Sequence, residues 1–422
     1  MQTNARRAVS AAGPRQLAAI LLLLIWTVGY TWAIWRYYTS VVPGGNDFLA
    51  RYAAWEAYLK YGLNPYSEEA AVFTQVKIYG RPALPGEDEV RLTYPFYSIL
   101  VHGPFVYLDY QVAQALHMVL LQAALFAGVA LTLAALRWRP PLWLTAVLMG
   151  WALLDYPEAR GVILGQVAIL GYFSLAGSLW LLSRGRDGAA GAMLVLSTIK
   201  PTLIFLVVPF LVLWALARGR RRFVIGFGLT LLVLCAASWV LLPSWLGDFL
   251  YRVQTYTSYT VGESPVWLLT HRALPGLGSI GEYVLTGLLL LLMLWAWWLA
   301  VRPGSESAGA FHWTLGLTLV VSSLIVPRSA TTNYVMLLAP ILWIFAILDR
   351  HGTRGRWIML LAMAISVAGQ WSLHFATVVG NQEQPVMYLP WPLVLGAVLW
   401  LGRGWLLRET HAAGSWPMPV PG

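Results

Sequence analysis

The chain has 422 residues, 59% of them hydrophobic and 11% charged, with a net charge of +10. An average soluble domain is about 25% charged, so this chain has too little polar surface to be covered by water and must meet lipid. The basic excess lies in short arginine clusters between apolar runs, with no basic stripe of interleaved aromatics to suggest a nucleic-acid surface, and the lone Cys235 excludes a disulfide framework or thiolate metal site.

The first element is an apolar stretch that follows Arg6-Arg7 and runs on through Trp35 without a small-residue cleavage site. It reads as an uncleaved transmembrane helix over 17–38. A bilayer-spanning helix needs about 20 residues. On that measure spans are expected at 111–136, 161–183, 222–242, 283–301, 311–326, 333–349, 356–377 and 386–402. Shorter candidates are 95–108, 141–154, 189–199 and 201–217, for about 11 to 13 spans in all. The fold class expected is therefore an all-α polytopic membrane protein, a single integral domain over 1–422, with a Pro-rich disordered tail at 412–422. Short, Pro-broken segments survive in a membrane only where neighbours or a cavity satisfy the freed backbone groups. They cluster in the N-terminal half, which is expected to surround the cavity. The 23 tryptophans and 20 tyrosines suit the membrane–water interface.

Topology follows from the basic clusters. The N-terminus, Arg184/Arg186, Arg218 to Arg222, Arg302, Arg350 to Arg356 and the C-terminus are expected on the cytoplasmic side. The long loops 39–93 and 243–281 then lie outside. Between 94 and 183 the assignment conflicts. Counting 95–108 as a full span puts Arg137/Arg139 outside, so 95–108 or 141–154 is a candidate re-entrant segment. Loop 39–93 holds seven of the eighteen acidic residues and a stretch with Phe48, Tyr52, Trp55 and Leu59 at helical spacing. That spacing predicts an interfacial helix with its aromatic face down. Ordered loops of this length are usually functional.

Several motifs in these elements could carry chemistry. In Asn46-Asp47-Phe48, Asp47 is placed either to cap the helix at 48–61 or to act as a general base at the bilayer edge. Gly62-Leu63-Asn64-Pro65-Tyr66 reads as a helix stop and turn, and Tyr94-Pro95-Phe96 as a helix start in which Tyr94 could face a cavity. Gln166, after Gly165, is either interhelical glue or a substrate contact. Lys200, one of only three lysines, is either a snorkelling residue or a phosphate partner. Arg328 stands against the positive-inside bias, which suggests an anionic partner. Asn333 and Tyr334 follow it. Arg51, Arg81, Arg252, Arg272 and His271 are weaker candidates. Asp155 and Glu158 lack a partner histidine for a metal site. No phosphate-binding glycine loop, dinucleotide fingerprint, zinc helix or nucleophile elbow is present, and no cofactor or metal is expected.

Taken in order, Asn46-Asp47-Phe48, Gly62-x-Asn64-Pro65-Tyr66, Tyr94-Pro95-Phe96, Gly165-Gln166 and Lys200-Pro201 resemble glycosyltransferase family 87, within the GT-C membrane glycosyltransferases. Phe96 departs from the family's Tyr-Pro-Pro pattern. The resemblance implies a GT-C-like fold and an inverting hexosyltransferase, in the known members a mannosyltransferase. It implies a polyprenyl-phosphate-sugar donor, a lipid or glycolipid acceptor, and action on the outer face of the cell membrane. It implies Asp47 as the base, Lys200 and Arg328 at the donor phosphate, and Asn46, Tyr66, Tyr94, Gln166, Asn333 and Tyr334 as substrate contacts. The rival reading is a transporter or flippase of lipid-linked sugars, which would show broken helices in two matching halves.

Overall fold

The computed structural model describes residues 14–42, 46–260, 263–304, 307–380 and 383–412. The 413–422 part of the expected disordered tail lies outside them. About 80% of the chain is helical and no strand is found among the described residues, so the protein is an all-α polytopic membrane protein.

Among the described residues, six helices are long and apolar enough to cross a bilayer: Tyr110–Ala135, Arg221–Leu241, Gly278–Val301, Ala308–Ile325, Thr331–Asp349 and Gly352–Thr377. Two bent pairs, Tyr156–Leu164 with Ala168–Ser183 and Pro385–Leu401 with Arg403–Thr410, raise the number to eight if each is one span. Pro14–Ile34 and the shorter apolar helices Leu142–Leu154, Asp187–Ile199 and Val207–Ala217 complete the set. Ala308–Ile325 and Thr331–Asp349 are almost wholly buried and form the centre, whereas Arg221–Leu241 turns nearly all of its apolar surface outward. Where helices have no water to exclude from between them, close backbone approach drives association. Asp187–Leu194 and Arg221–Leu241 pack in this way. A side chain at Gly191 would meet the Phe223 carbonyl oxygen at 2.0 Å, and one at Gly226 the Gly188 carbonyl oxygen at 2.1 Å.

The candidate span 95–108 is not one helix. It is three short pieces, 3-10 over Phe96–Ser98, α over Ile99–His102 and 3-10 over Gly103–Tyr107. Pro104, inside the run, lacks the N–H that a continuous helix needs. The candidate span 161–183 also divides. Tyr156–Leu164 ends on Gly165, in the left-handed region at φ 69°, and the chain resumes as Ala168–Ser183 after a turn of 118°.

The helix that opens the first long loop, Asn46–Tyr61, does not lay its aromatic face on lipid. Phe48, Tyr52 and Trp55 are buried in a second core with Phe96, Tyr97, Phe105 and Val106. The three broken pieces at 96–107 thus act as the lid of that core. The two long loops then dock together. Asn64 donates to Asp248 at 2.7 Å, Arg252 donates to the Tyr66 carbonyl, the Glu89 N–H reaches the Tyr259 carbonyl, and the Arg91 guanidinium lies 5.6 Å from the centre of the Tyr259 ring. Five ion pairs among the described residues brace the first loop, Glu56 with Lys60 and with Lys77, Glu68 and Glu89 with Arg91, and Glu87 with Arg81.

Candidate active site

Asp47 sits in the first turn of Asn46–Tyr61, and the burial of Phe48 one residue later fixes its position. Phe48 is fully buried and stacks on His117 at 4.3 Å. Its Cβ lies where a side chain at Gly165 would be, at 2.6 Å from that added carbon. Gly165 therefore does two things. It stops one helix by adopting a backbone conformation that other residues resist, and it lets Phe48 come close enough to set Asp47 opposite Gln166.

From there a chain of hydrogen bonds crosses the site. Gln166 Nε2 donates to Asp47 Oδ2 at 2.7 Å. Lys200 Nζ donates to Gln166 Oε1 at 2.9 Å and to Asn333 Oδ1 at 2.7 Å. An ammonium has three donors, so one Lys200 N–H remains for a ligand. Lys200 falls between the short 3-10 pieces Val195–Ile199 and Pro201–Leu203, at the turn between two apolar helices. Among the described residues the Asp47 carboxylate is bonded to a side chain from the turn after a distant helix rather than to backbone N–H groups of its own helix, so the bond it makes is not that of a cap.

Arg51 lies four residues after Asp47, on the same helical face. It is 4% exposed and donates to the Tyr94 hydroxyl at 3.0 Å and the Gly165 carbonyl at 2.8 Å, leaving Nε without a partner. A second carboxylate, Asp88, comes from the end of the first loop. Val90 N–H donates to its Oδ1 at 2.8 Å, and Val90 takes a φ of 44° that a β-branched residue rarely adopts. Burial pushes the Asp88 carboxyl above the usual aspartate range, and the charges of Asp47 and Glu89 add to the push. The Val90 N–H and Arg328 oppose it. Burial also pushes the hydroxyls of Tyr94 and Tyr256 upward, so both stay neutral hydrogen-bonding groups. Arg328 spends one Nη on the Thr257 carbonyl at 2.8 Å, which ties the loop after Ala308–Ile325 to the second long loop.

The structure therefore brings Asp47, Gln166, Lys200 and Asn333 into one network and sets Tyr94 beside it, whereas Arg328 bonds the Thr257 carbonyl and acts on Asp88. Tyr66 and Tyr334 are placed differently. They are 3% and 2% exposed, and their hydroxyls donate to the carbonyls of Tyr94 and Tyr388 at 2.7 Å. Both groups hold backbone in place. The side chain of Asn46 lies outside the described residues. Sequence reasoning gave Arg51 little weight, although its spacing from Asp47 was a usable signal, and it gave Asp88 no role at all. No local pattern marks Asp88, because an irregular loop delivers it. Among the described residues no group of three or more His, Cys, Asp or Glu is placed to hold a metal ion.

The family model for glycosyltransferase family 87 matches residues 92–327, more than half of the chain. Gln166 and Lys200 fall within the matched part, while Asp47 and Asn333 lie outside it on either side. No curated protein and no solved structure matches the chain.

Proposed function

Because the chain belongs to glycosyltransferase family 87, we propose that it moves a hexose, mannose as first candidate, from a polyprenyl-phosphate-linked donor to a lipid or glycolipid acceptor, inverting the anomeric centre on the extracytoplasmic face. The observation that carries this reading is the network Asp47–Gln166–Lys200–Asn333, which sets a carboxylate and a cation on the two sides of one amide.

In this reading Asp47 takes the proton of the acceptor hydroxyl through the carboxylate oxygen not used by Gln166. The acceptor oxygen forms its bond to the anomeric carbon from one side. The carbon–oxygen bond to phosphate breaks on the other, and its electron pair leaves with the polyprenyl phosphate. Asp47 then returns its proton to water. Lys200, through its remaining N–H, and Arg328 stabilise the departing phosphate. A carboxylate paired directly with an ammonium is a weaker base. Gln166 keeps the two charges apart while fixing both.

The sidedness rests on the arginine clusters. Once 95–108 is not counted as a span, Arg137/Arg139 alternate correctly with Arg184/Arg186, Arg218 to Arg222, Arg302 and Arg350 to Arg356. All then lie opposite the long loops, as the positive-inside rule requires. Contacts gather that end: Trp138 donates to Asp349 and Arg220 pairs with Asp187. A flippase reading has family membership against it.

The test is Asp47→Asn in membranes supplied with tagged polyprenyl-phosphate sugars. The variant is expected to fold and to lose transfer by about 100-fold or more. Turnover at the wild-type level would remove Asp47 as the base. Mass spectrometry of the lipid product names the sugar.

A further inference from the structure

The helix Tyr156–Leu164, which lies across its neighbour at 118°, carries the site's Gln166 beyond one end and a second polar cluster near the other. At its centre is Arg160. The guanidinium rests against the Tyr156 ring at 5.8 Å and makes no hydrogen bond or ion pair among the described residues, and its buried Nε is without a partner. Facing it are Glu383, Tyr388, Tyr156 and His374. Glu383 accepts from Thr331 Oγ1, two residues before the Asn333 that holds Lys200. The two polar groups are thus joined through the short helix on one side and through 331–333 on the other. Beside Arg160 stand Trp371, 5.0 Å from the Tyr156 ring, and Phe375, which is 70% exposed.

A half-buried guanidinium with a buried N–H left unbonded is costly, and here it stands beside a carboxylate and tyrosine hydroxyls. The geometry points to a headgroup clamp for the lipid-linked donor. Arg160 binds the phosphate, Glu383 accepts from sugar hydroxyls, and the prenyl tail leaves over Trp371 and Phe375. This rests on the lipid-phosphate donor proposed above and adds a cation and a carboxylate outside the Asp47 network. A planar guanidinium suits phosphate through paired N–H donors. An exposed aromatic edge beside it suits an isoprenoid chain.

The test measures binding of farnesyl phosphate and of farnesol to the full-length protein in nanodiscs. Arg160→Gln keeps the stem that packs on Tyr156. It is expected to weaken farnesyl phosphate by about tenfold or more and to leave farnesol unchanged. Arg160→Lys is expected to recover part of the loss. Glu383→Gln is expected to bind farnesyl phosphate as wild type does but to raise KM for the sugar-bearing donor. Equal farnesyl phosphate affinity in Arg160→Gln and wild type overturns the clamp, as does an equal loss for farnesol. A wild-type protein that does not prefer farnesyl phosphate over farnesol overturns the lipid-phosphate donor itself.

Discussion

At the scale of single residues, the site depends on one amide. Gln166 offers its oxygen to Lys200 and its nitrogen to Asp47, and no other side chain of its size can serve both without adding charge. Gln166→Glu should therefore draw Lys200 into an ion pair and repel Asp47. Transfer is expected to fall by about 100-fold with a smaller change in donor KM, as read from steady-state kinetics. Lys200→Ala and Arg328→Ala are expected to raise the donor KM instead, and unchanged values in both would remove their phosphate role. Asp88 makes a pH prediction. Its folded-state pKa is raised, so the folded protein holds a proton that the unfolded chain has released. Stability from this group falls as pH rises above the ordinary aspartate range of about 4. Asp88→Asn should flatten that fall in a melting-temperature profile, and an identical profile would show that the group does not titrate as described. Gln166 and Lys200 stood out in the sequence as polar residues among apolar runs, Asp47 as a carboxylate close after the first span, and Asn333 only as a follower of Arg328. Their joining did not, since Asp47 and Gln166 lie 119 positions apart. Arg160 and Glu383 were missed for a different reason. Arg160 fell just before an expected span that began at 161, and nothing near Glu383 in sequence announces a partner.

At the scale of elements, the long apolar helices follow the sequence closely, because continuous hydropathy reports them directly. The broken segments do not. The apolar run 95–108 has the composition of a membrane segment, but composition does not register the break that Pro104 imposes. Its real task is to cover Phe48, Tyr52 and Trp55, a tertiary contact that no periodicity shows. Gly165 is the clearest case of an element boundary that serves the site. Gly165→Ala would combine a positive φ with a clash against Phe48. It is expected to lower stability by more than about 1 kcal/mol and to cut transfer by displacing Gln166. Thermal unfolding and activity measured on the same preparation check both, and a variant that loses stability but keeps full activity would show that Gly165 does not set the site.

At the scale of the whole molecule, a helical bundle supports a separate layer of two loops, and the layers are held by different forces. The bundle rests on buried apolar surface and close backbone approach. The loop layer rests on its own aromatic core, which takes in Trp245 of the second loop, and on a few polar contacts, Asn64 with Asp248, Arg252 with the Tyr66 carbonyl, and Arg328 with the Thr257 carbonyl. Arg252→Ala should accordingly raise hydrogen exchange across Trp245–Gln254 and Tyr256–Tyr259 while leaving Ala308–Ile325 protected. Exchange unchanged in those loop helices would mean that other contacts carry the docking. The crosswise helix Tyr156–Leu164 has a consequence of another kind. It is a stiff rod in which Arg160, at the middle, stands roughly 6 Å along the axis from Leu164, the last residue, at 1.5 Å per residue, with Gln166 past the turn at Gly165. That separation cannot stretch to suit its guest. On the proposed clamp, that fixed spacing makes the corner sensitive to the length of the linkage between sugar and carrier before any hydroxyl of the sugar is read.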